Sequence, residues 1–307
     1  MFPFQIIIDD SFININTDDQ LGPIDKKFVL SFANGFEEEK WRFDKFQKYI
    51  WDNVAESALS FRERDSLVGN PSSLLAEAAK KLRLTDKVDD ISKGSELAEI
   101  VLYGIMKYHF NALPVVPKIF YKQNAQDNAK GADSVHIVIE NDNDFSIWFG
   151  EAKFYNSIED ARLYDIIDSV KNSLETTKLK KENSIITDVS DIDFLITDAV
   201  LRESIRRTLN TQESIDVLKP KLHIPILLLH ECEITSKAKT IDSEYIESIV
   251  AYHKDRAQSY FKKQIRKCKD TIHLYSEISF HIILFPVPKK AEIVYKFIEA
   301  VEFHKNQ

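Results

Sequence analysis

The sequence predicts an α/β protein, a mixed β-sheet core flanked by helices and preceded by an N-terminal α+β elaboration. Strand and helix patterns alternate through the C-terminal half, which calls for helices on both faces of a sheet. Two short apolar runs, His223–Leu229 and Ile278–Phe285, read as strands buried on both sides. Between residues 133 and 155, two runs of β-branched and aromatic residues flank the Asn/Asp-rich turn Asn141–Asp144, the signature of a hairpin.

In chain order, residues 4–15 and 26–33 read as short strands. Glu37–Phe61 reads as an amphipathic helix through Trp41, Phe46, Ile50, Val54 and Leu59, and Ser72–Leu84 as a second helix introduced by Pro71. After the polar stretch Asp89–Ser95, a helix runs to Phe110 with Leu97, Ile100, Val101, Gly104, Ile105 and Tyr108 facing inward. Val115–Phe120 gives a strand, and Lys122–Lys130 a polar loop into the hairpin. Beyond the hairpin, Ser157-Ile-Glu-Asp has the form of a capping box starting a helix to Leu174. Lys178–Asn183 reads as a basic turn, and Asp191–Leu209, Tyr245–Cys268 and Pro288–Phe303 as helices. The division expected is 1–90 for the elaboration and 91–307 for the core.

Composition narrows the function. The 307 residues carry a net charge of −8, which argues against general polyanion coating but leaves room for local basic patches. No apolar run approaches the roughly 20 residues that cross a bilayer. The first residues lack the basic start and cleavage site of a signal peptide. Cys232 and Cys268 are too few for a disulfide framework, so a reduced, cytoplasmic protein is expected.

The chemistry concentrates in the hairpin. Strand side chains alternate, so Asp133, Val135, Ile137 and Ile139 share one face, and Phe145, Ile147, Phe149, Glu151 and Lys153 another. Both sets continue an apolar stripe, so both should face one core. Paired positions must then sum to an even number such as 284, which a three- or five-residue loop, or a two-residue loop with one bulge, satisfies. Asp133 then stands opposite Glu151, with Lys153 one pleat further on. Two carboxylates and an ammonium at the rim of a core are costly without a purpose. A hard divalent cation, Mg²⁺ or Mn²⁺, held by Asp133 and Glu151 with the carbonyl of Ala152, supplies one. Such an ion polarises a phosphodiester and lowers the pKa of a water, while Lys153 orients that water or neutralises developing charge. On the preceding helix Glu96 and Glu99 are neighbours; Glu99, nearer the apolar stripe, is the better candidate to complete the shell, with Glu96 as its competitor.

These residues carry a resemblance. Gly-Ala-Asp133, then Phe-Gly-Glu151-Ala-Lys153-Phe-Tyr, preceded by Gly-Ser-Glu-Leu-Ala-Glu99, is similar to the PD-(D/E)xK nuclease superfamily and, more narrowly, to the HamA family of the Hachiman anti-phage defence system. The block spans about residues 94–175, and the order of later elements extends it over much of the chain. The resemblance implies a restriction-endonuclease-like core, with Asp133 and Glu151 as metal ligands, Lys153 as catalytic lysine and Glu99 as the helix acid. It also implies a DNase restrained by a helicase partner, HamB. The proline that precedes the Asp in the superfamily is replaced here by Gly131-Ala132. Rival readings are a binding-only subunit of the same fold and a repair nuclease for RNA or branched DNA.

DNA also demands positive charge. The densest basic segment is Lys254–Lys269, with Lys254, Lys262, Lys263, Arg266 and Lys267 as the expected contacts. Overall acidity points to weak unaided DNA binding, with a partner supplying affinity. His230-Glu-Cys-Glu matches no common zinc spacing, and His136 is expected to face away from the site.

Overall fold

A computed structural model describes residues 2–83, 94–117, 119, 132–141, 144–189, 192–210 and 212–307. The strands are β1 (Gln5–Ser11), β2 (Lys27–Ala33), β3 (Phe36–Glu37), β4 (Lys40–Trp41), β5 (Leu113–Val116), β6 (Ser134–Asn141), β7 (Asp144–Tyr155), β8 (Leu222–Glu231) and β9 (Ser279–Val287). Seven of them form one mixed sheet in the order β1-β2-β9-β8-β7-β6-β5. Its middle, β2-β9-β8-β7, is parallel, and antiparallel strands close both ends.

The helices are α1 (Phe43–Ala58), α2 (Phe61–Ser66), α3 (Pro71–Lys80), α4 (Ser95–Tyr108), α5 (Asp160–Ser173), α6 (Thr176–Val189), α7 (Ile192–Leu195), α8 (Ala199–Thr208), α9 (Glu233–Lys237), α10 (Ser243–Cys268) and α11 (Lys290–Lys305). Period-two alternation sorts the strand side chains into two cores. Ile147, Phe149, Ile226, Leu228, Ile282 and Leu284 enter one core with α5 and α10. Trp148, Phe154, Leu227, Leu229, Ile283 and Phe285 enter the other with α1, α4 and α11. Both faces of β8 and β9 are therefore dry, as their unbroken apolar runs require. β1 and β2 extend this same sheet, and the expected division near residue 90 lies outside the described residues.

Several elements differ from the sequence reading. The helix expected from Glu37 starts at Phe43. Before it, β3 and β4 form a tight hairpin whose turn residues Glu38 and Glu39 take positive φ, and Trp41 lies on β4. Lys178–Asn183 is not a turn but the middle of α6. The helix expected over Asp191–Leu209 is broken: Asp198 accepts hydrogen bonds from the N–H groups of Val200 and Leu201, so the chain restarts there as α8. The Ser157 capping box does not form, and Glu159 is the N-cap residue of α5. The loop Lys122–Lys130, Gly131, most of Asp89–Ser95 and the start of the predicted 191–209 helix fall outside the described residues.

Gly150 shows how closely α4 and β7 approach. A Cβ there would collide with the Ser134 hydroxyl and meet Leu102 Cδ2 at 2.7 Å. Gly150→Ala is expected to destabilise the fold by about 1–3 kcal/mol, the usual cost of overpacking, read as a lower urea midpoint.

Candidate active site

The β6–β7 register is the one the alternation demands. Ser134 pairs with Gly150 and Val135 with Phe149, so paired numbers sum to 284. A register shift between Ile139 and Asn141 leaves Asn141 opposite Asp144 while both apolar stripes stay on one face; residues 142 and 143 of the expected turn lie outside the described residues. Asp133 precedes β6, and its N–H donates to the Gly150 carbonyl at 2.7 Å. Its Oδ2 accepts the Ala152 N–H at 3.1 Å. Its carboxylate is thus held against the strand segment Glu151–Lys153.

Lys153 Nζ lies 2.7 Å from Glu151 Oε1 and 3.8 Å from Asp133 Oδ2. The three side chains meet where the apolar stripe of β7 gives way to charge, between Phe149 and Tyr155. Glu151 is only 5% exposed. Burial and then the charge of Asp133 raise its carboxyl above the ordinary range, against the opposing pull of Lys153 and Ser169. Burial disfavours the Lys153 ammonium, but Asp133 and Glu151 outweigh it and hold the amine above its ordinary value. In an extended strand a residue's N–H and C=O project to the same side. The Ala152 carbonyl therefore points, like its N–H, to the side where Asp133 sits and β6 has ended.

Glu99 is buried on α4, which packs on the opposite face of β7. Two close approaches fix its level: Gly94 abuts Phe154, and Leu102 abuts Gly150. Glu99 falls between them, level with Glu151 and Ala152. Glu96 lies further from the buried stripe and accepts the Arg83 N–H at 2.9 Å.

Two neighbours have no counterpart in the sequence reading. The Ser169 hydroxyl on α5 donates to Glu151 Oε1 at 2.6 Å, and buried Glu182 on α6 accepts the Ala132 N–H at 3.1 Å, bracing the residue before Asp133. The only trace of Ser169 in the sequence is a polar residue bordering the Leu163/Ile166/Ile167/Val170 stripe. Glu182 carries no signal, because the charged segment Lys178–Asn183 around it has the composition of a turn. Tyr260 on α10 is fully buried on the same face; its phenol has no hydrogen-bond partner among the described residues. Burial raises its pKa well above the ordinary value, with Cys268 and Glu151 adding to the shift.

The basic face of α10 is largely engaged within the chain. Lys263 pairs with Asp160 at 2.8 Å, Lys267 with Asp168, Lys262 with Asp18 at 3.4 Å, and Arg256 with Glu159 and Asp160. Lys254 and Arg266 are exposed. His136 pairs across from Trp148, on the face away from Glu151, as expected from alternation. His230 is buried and joins another histidine: His230 Nε2 and His253 Nε2 are 3.0 Å apart, and His253 Nδ1 lies 2.6 Å from Ser31 Oγ.

An α/β protein with a seven-stranded mixed sheet, helices on both faces, and a partly buried acid–acid–lysine cluster at one end of the β6–β7 pair is thereby defined. The HamA family model matches residues 9–301, and the chain belongs to the HamA family. Membership makes it a component of Hachiman anti-phage defence. No curated protein matches the chain. Among the described residues, no helix is long and apolar enough to cross a membrane.

Proposed function

We propose that this protein is a metal-dependent DNA endonuclease with a restriction-endonuclease-like PD-(D/E)xK core, restrained and released by a helicase partner of the HamB kind. The observation that supports it most is that Lys153 Nζ lies within 3.8 Å of both the Asp133 and the Glu151 carboxylate, beside the start of β6. The donor set fits Mg²⁺ or Mn²⁺: two carboxylates and one backbone carbonyl are hard oxygens, and magnesium commonly takes only one or two carboxylates and completes its shell with water and phosphate. Among the described residues no group of three or more His, Cys, Asp or Glu is placed to hold a metal ion, so Asp133 and Glu151 stand as a pair of carboxylates without a third.

Asp133, Glu151 and the Ala152 carbonyl would hold the ion, and Glu99, on α4 across the sheet, would reach it only through water. When bound, the ion supplies a Lewis acid for the scissile phosphate and lowers the pKa of the attacking water. Lys153 places a fixed positive charge beside the reacting phosphate, where negative charge builds. The protein forms no covalent bond to DNA in this scheme. Lys254 and Arg266, exposed on α10, are the basic residues best placed to meet a phosphate backbone; Lys262, Lys263 and Lys267 must first release their acids.

Plasmid cleavage with Mg²⁺, by wild type and Glu151→Ala, with and without the helicase subunit, tests the reading. Wild type is expected to cut, and Glu151→Ala to lose about 10³-fold or more, as for removal of one strong transition-state contact. Equal cleavage by the variant removes the site assignment. Wild-type inactivity in every combination points instead to a binding-only subunit.

A further inference from the structure

We infer that Ser169 is a positioning residue for the cation site: it fixes which oxygen of Glu151 faces the ion. This rests on the metal-dependent reading above. Two donors converge on a single oxygen, Glu151 Oε1: Lys153 Nζ at 2.7 Å and the Ser169 hydroxyl at 2.6 Å. They approach from different elements, β7 itself and α5, so together they set the rotation of the carboxylate about its last bond. Among the described residues no hydrogen bond reaches Oε2, which is therefore the oxygen presented for coordination.

Ser169 is chemically specific in this role. A serine inside a helix ordinarily spends its hydroxyl on the backbone of the preceding turn. Ser173, one turn further along α5, does so, donating to the Val170 carbonyl at 2.8 Å. Ser169 instead reaches across to the sheet. Its backbone is held in place independently of that bond, since Ile166, Ile167 and Val170 anchor α5 in the core on either side of it. Lys153 alone can swing with its long stem, whereas a serine hydroxyl, with one rotatable bond between it and the helix backbone, has only a few discrete positions. Glu151 orientation thus depends on the docking of α5, and α5 in turn is tied to α10 through Lys267–Asp168 and Lys263–Asp160.

The test is Mn²⁺ binding to the full chain by isothermal titration calorimetry, without DNA, for wild type, Ser169→Ala, Ser169→Thr and Glu151→Gln. Outer residues that orient metal ligands typically contribute 10- to 100-fold in affinity. Ser169→Ala is expected to bind Mn²⁺ about 10-fold more weakly, and Ser169→Thr, which keeps the hydroxyl, within about twofold of wild type. Circular dichroism of each variant confirms that α5 remains folded, as expected since alanine favours a helix more than serine does. Wild-type affinity in Ser169→Ala, with binding lost in Glu151→Gln, overturns the role of Ser169 and leaves the metal site standing. Absence of Mn²⁺ binding in wild type, or undiminished binding in Glu151→Gln, overturns both together.

Discussion

Alanine at position 153 is expected to lower Mg²⁺-dependent cleavage by roughly 10²- to 10⁴-fold, the range for removing a charged or acid–base group that acts in the transition state. It is also expected to destabilise the protein before any DNA is added. Lys153 neutralises Glu151 at 2.7 Å and Asp133 at 3.8 Å, and without it two carboxylates share a largely buried site. Breaking a buried pair on one side costs about 3–5 kcal/mol; the lower end applies, because the Lys153 side chain is 31% exposed. The two effects separate by adding the cation: Mg²⁺ replaces the missing positive charge, so Lys153→Ala should gain more thermal stability from it than wild type does, while its cleavage stays low. Calorimetric melting with and without Mg²⁺, beside the cleavage assay, reads both. A variant as stable and as active as wild type would remove Lys153 from the site.

The second large effect is loss of stability in mild acid. His230 and His253 are both fully buried and hydrogen-bonded to each other, an arrangement that admits one proton between them. Burial lowers His230 from 6.5 to about 4, and burial with the neighbouring His230 lowers His253 well below its ordinary value. The sign follows from linkage: in this interval the unfolded chain takes up protons that the folded chain refuses. Stability is therefore full above pH 6.5 and drains away as pH falls toward 4. For His230 alone the shift corresponds to about 3 kcal/mol. His223 and His136, lowered by burial to about 4 and about 3, act in the same direction. Urea midpoints measured at intervals through this range should fall steadily, and His253→Gln should flatten the slope. A midpoint constant from neutral pH down to 5 would show that these imidazoles charge freely in the folded state.

The cluster was legible in the sequence because alternation is a rigid rule. Phe149, Glu151 and Lys153 must share a face, and two apolar stripes that share a core leave one parity of register, which the bulge near Asn141 satisfies. The buried strands were legible for the same reason. What stayed hidden depends on tertiary neighbours. Ser169 acquires its role only because α5 lies over β7, and no local pattern distinguishes it from Ser173. The β3–β4 hairpin has no local sequence signal, because Glu38 and Glu39 are ordinary helix formers held in left-handed conformations. The basic run on α10 looked open to DNA because Asp160 and Asp168, its partners, lie about a hundred residues earlier in the chain.

Strand β9 lies between β8 and β2, joining Lys27–Ala33 to Leu222–Glu231. Until Ser279–Val287 has been synthesised, the hairpin β1–β2 has no parallel neighbour and β8 has an open edge. Contacts so distant in sequence form slowly, since the intervening loop must close before any pairing rewards it. A ribosome therefore emits the acids and the lysine well before it emits the strand that locks the sheet around them. The cluster is therefore framed by a complete sheet only after Ser279–Val287 has emerged and paired on both of its edges.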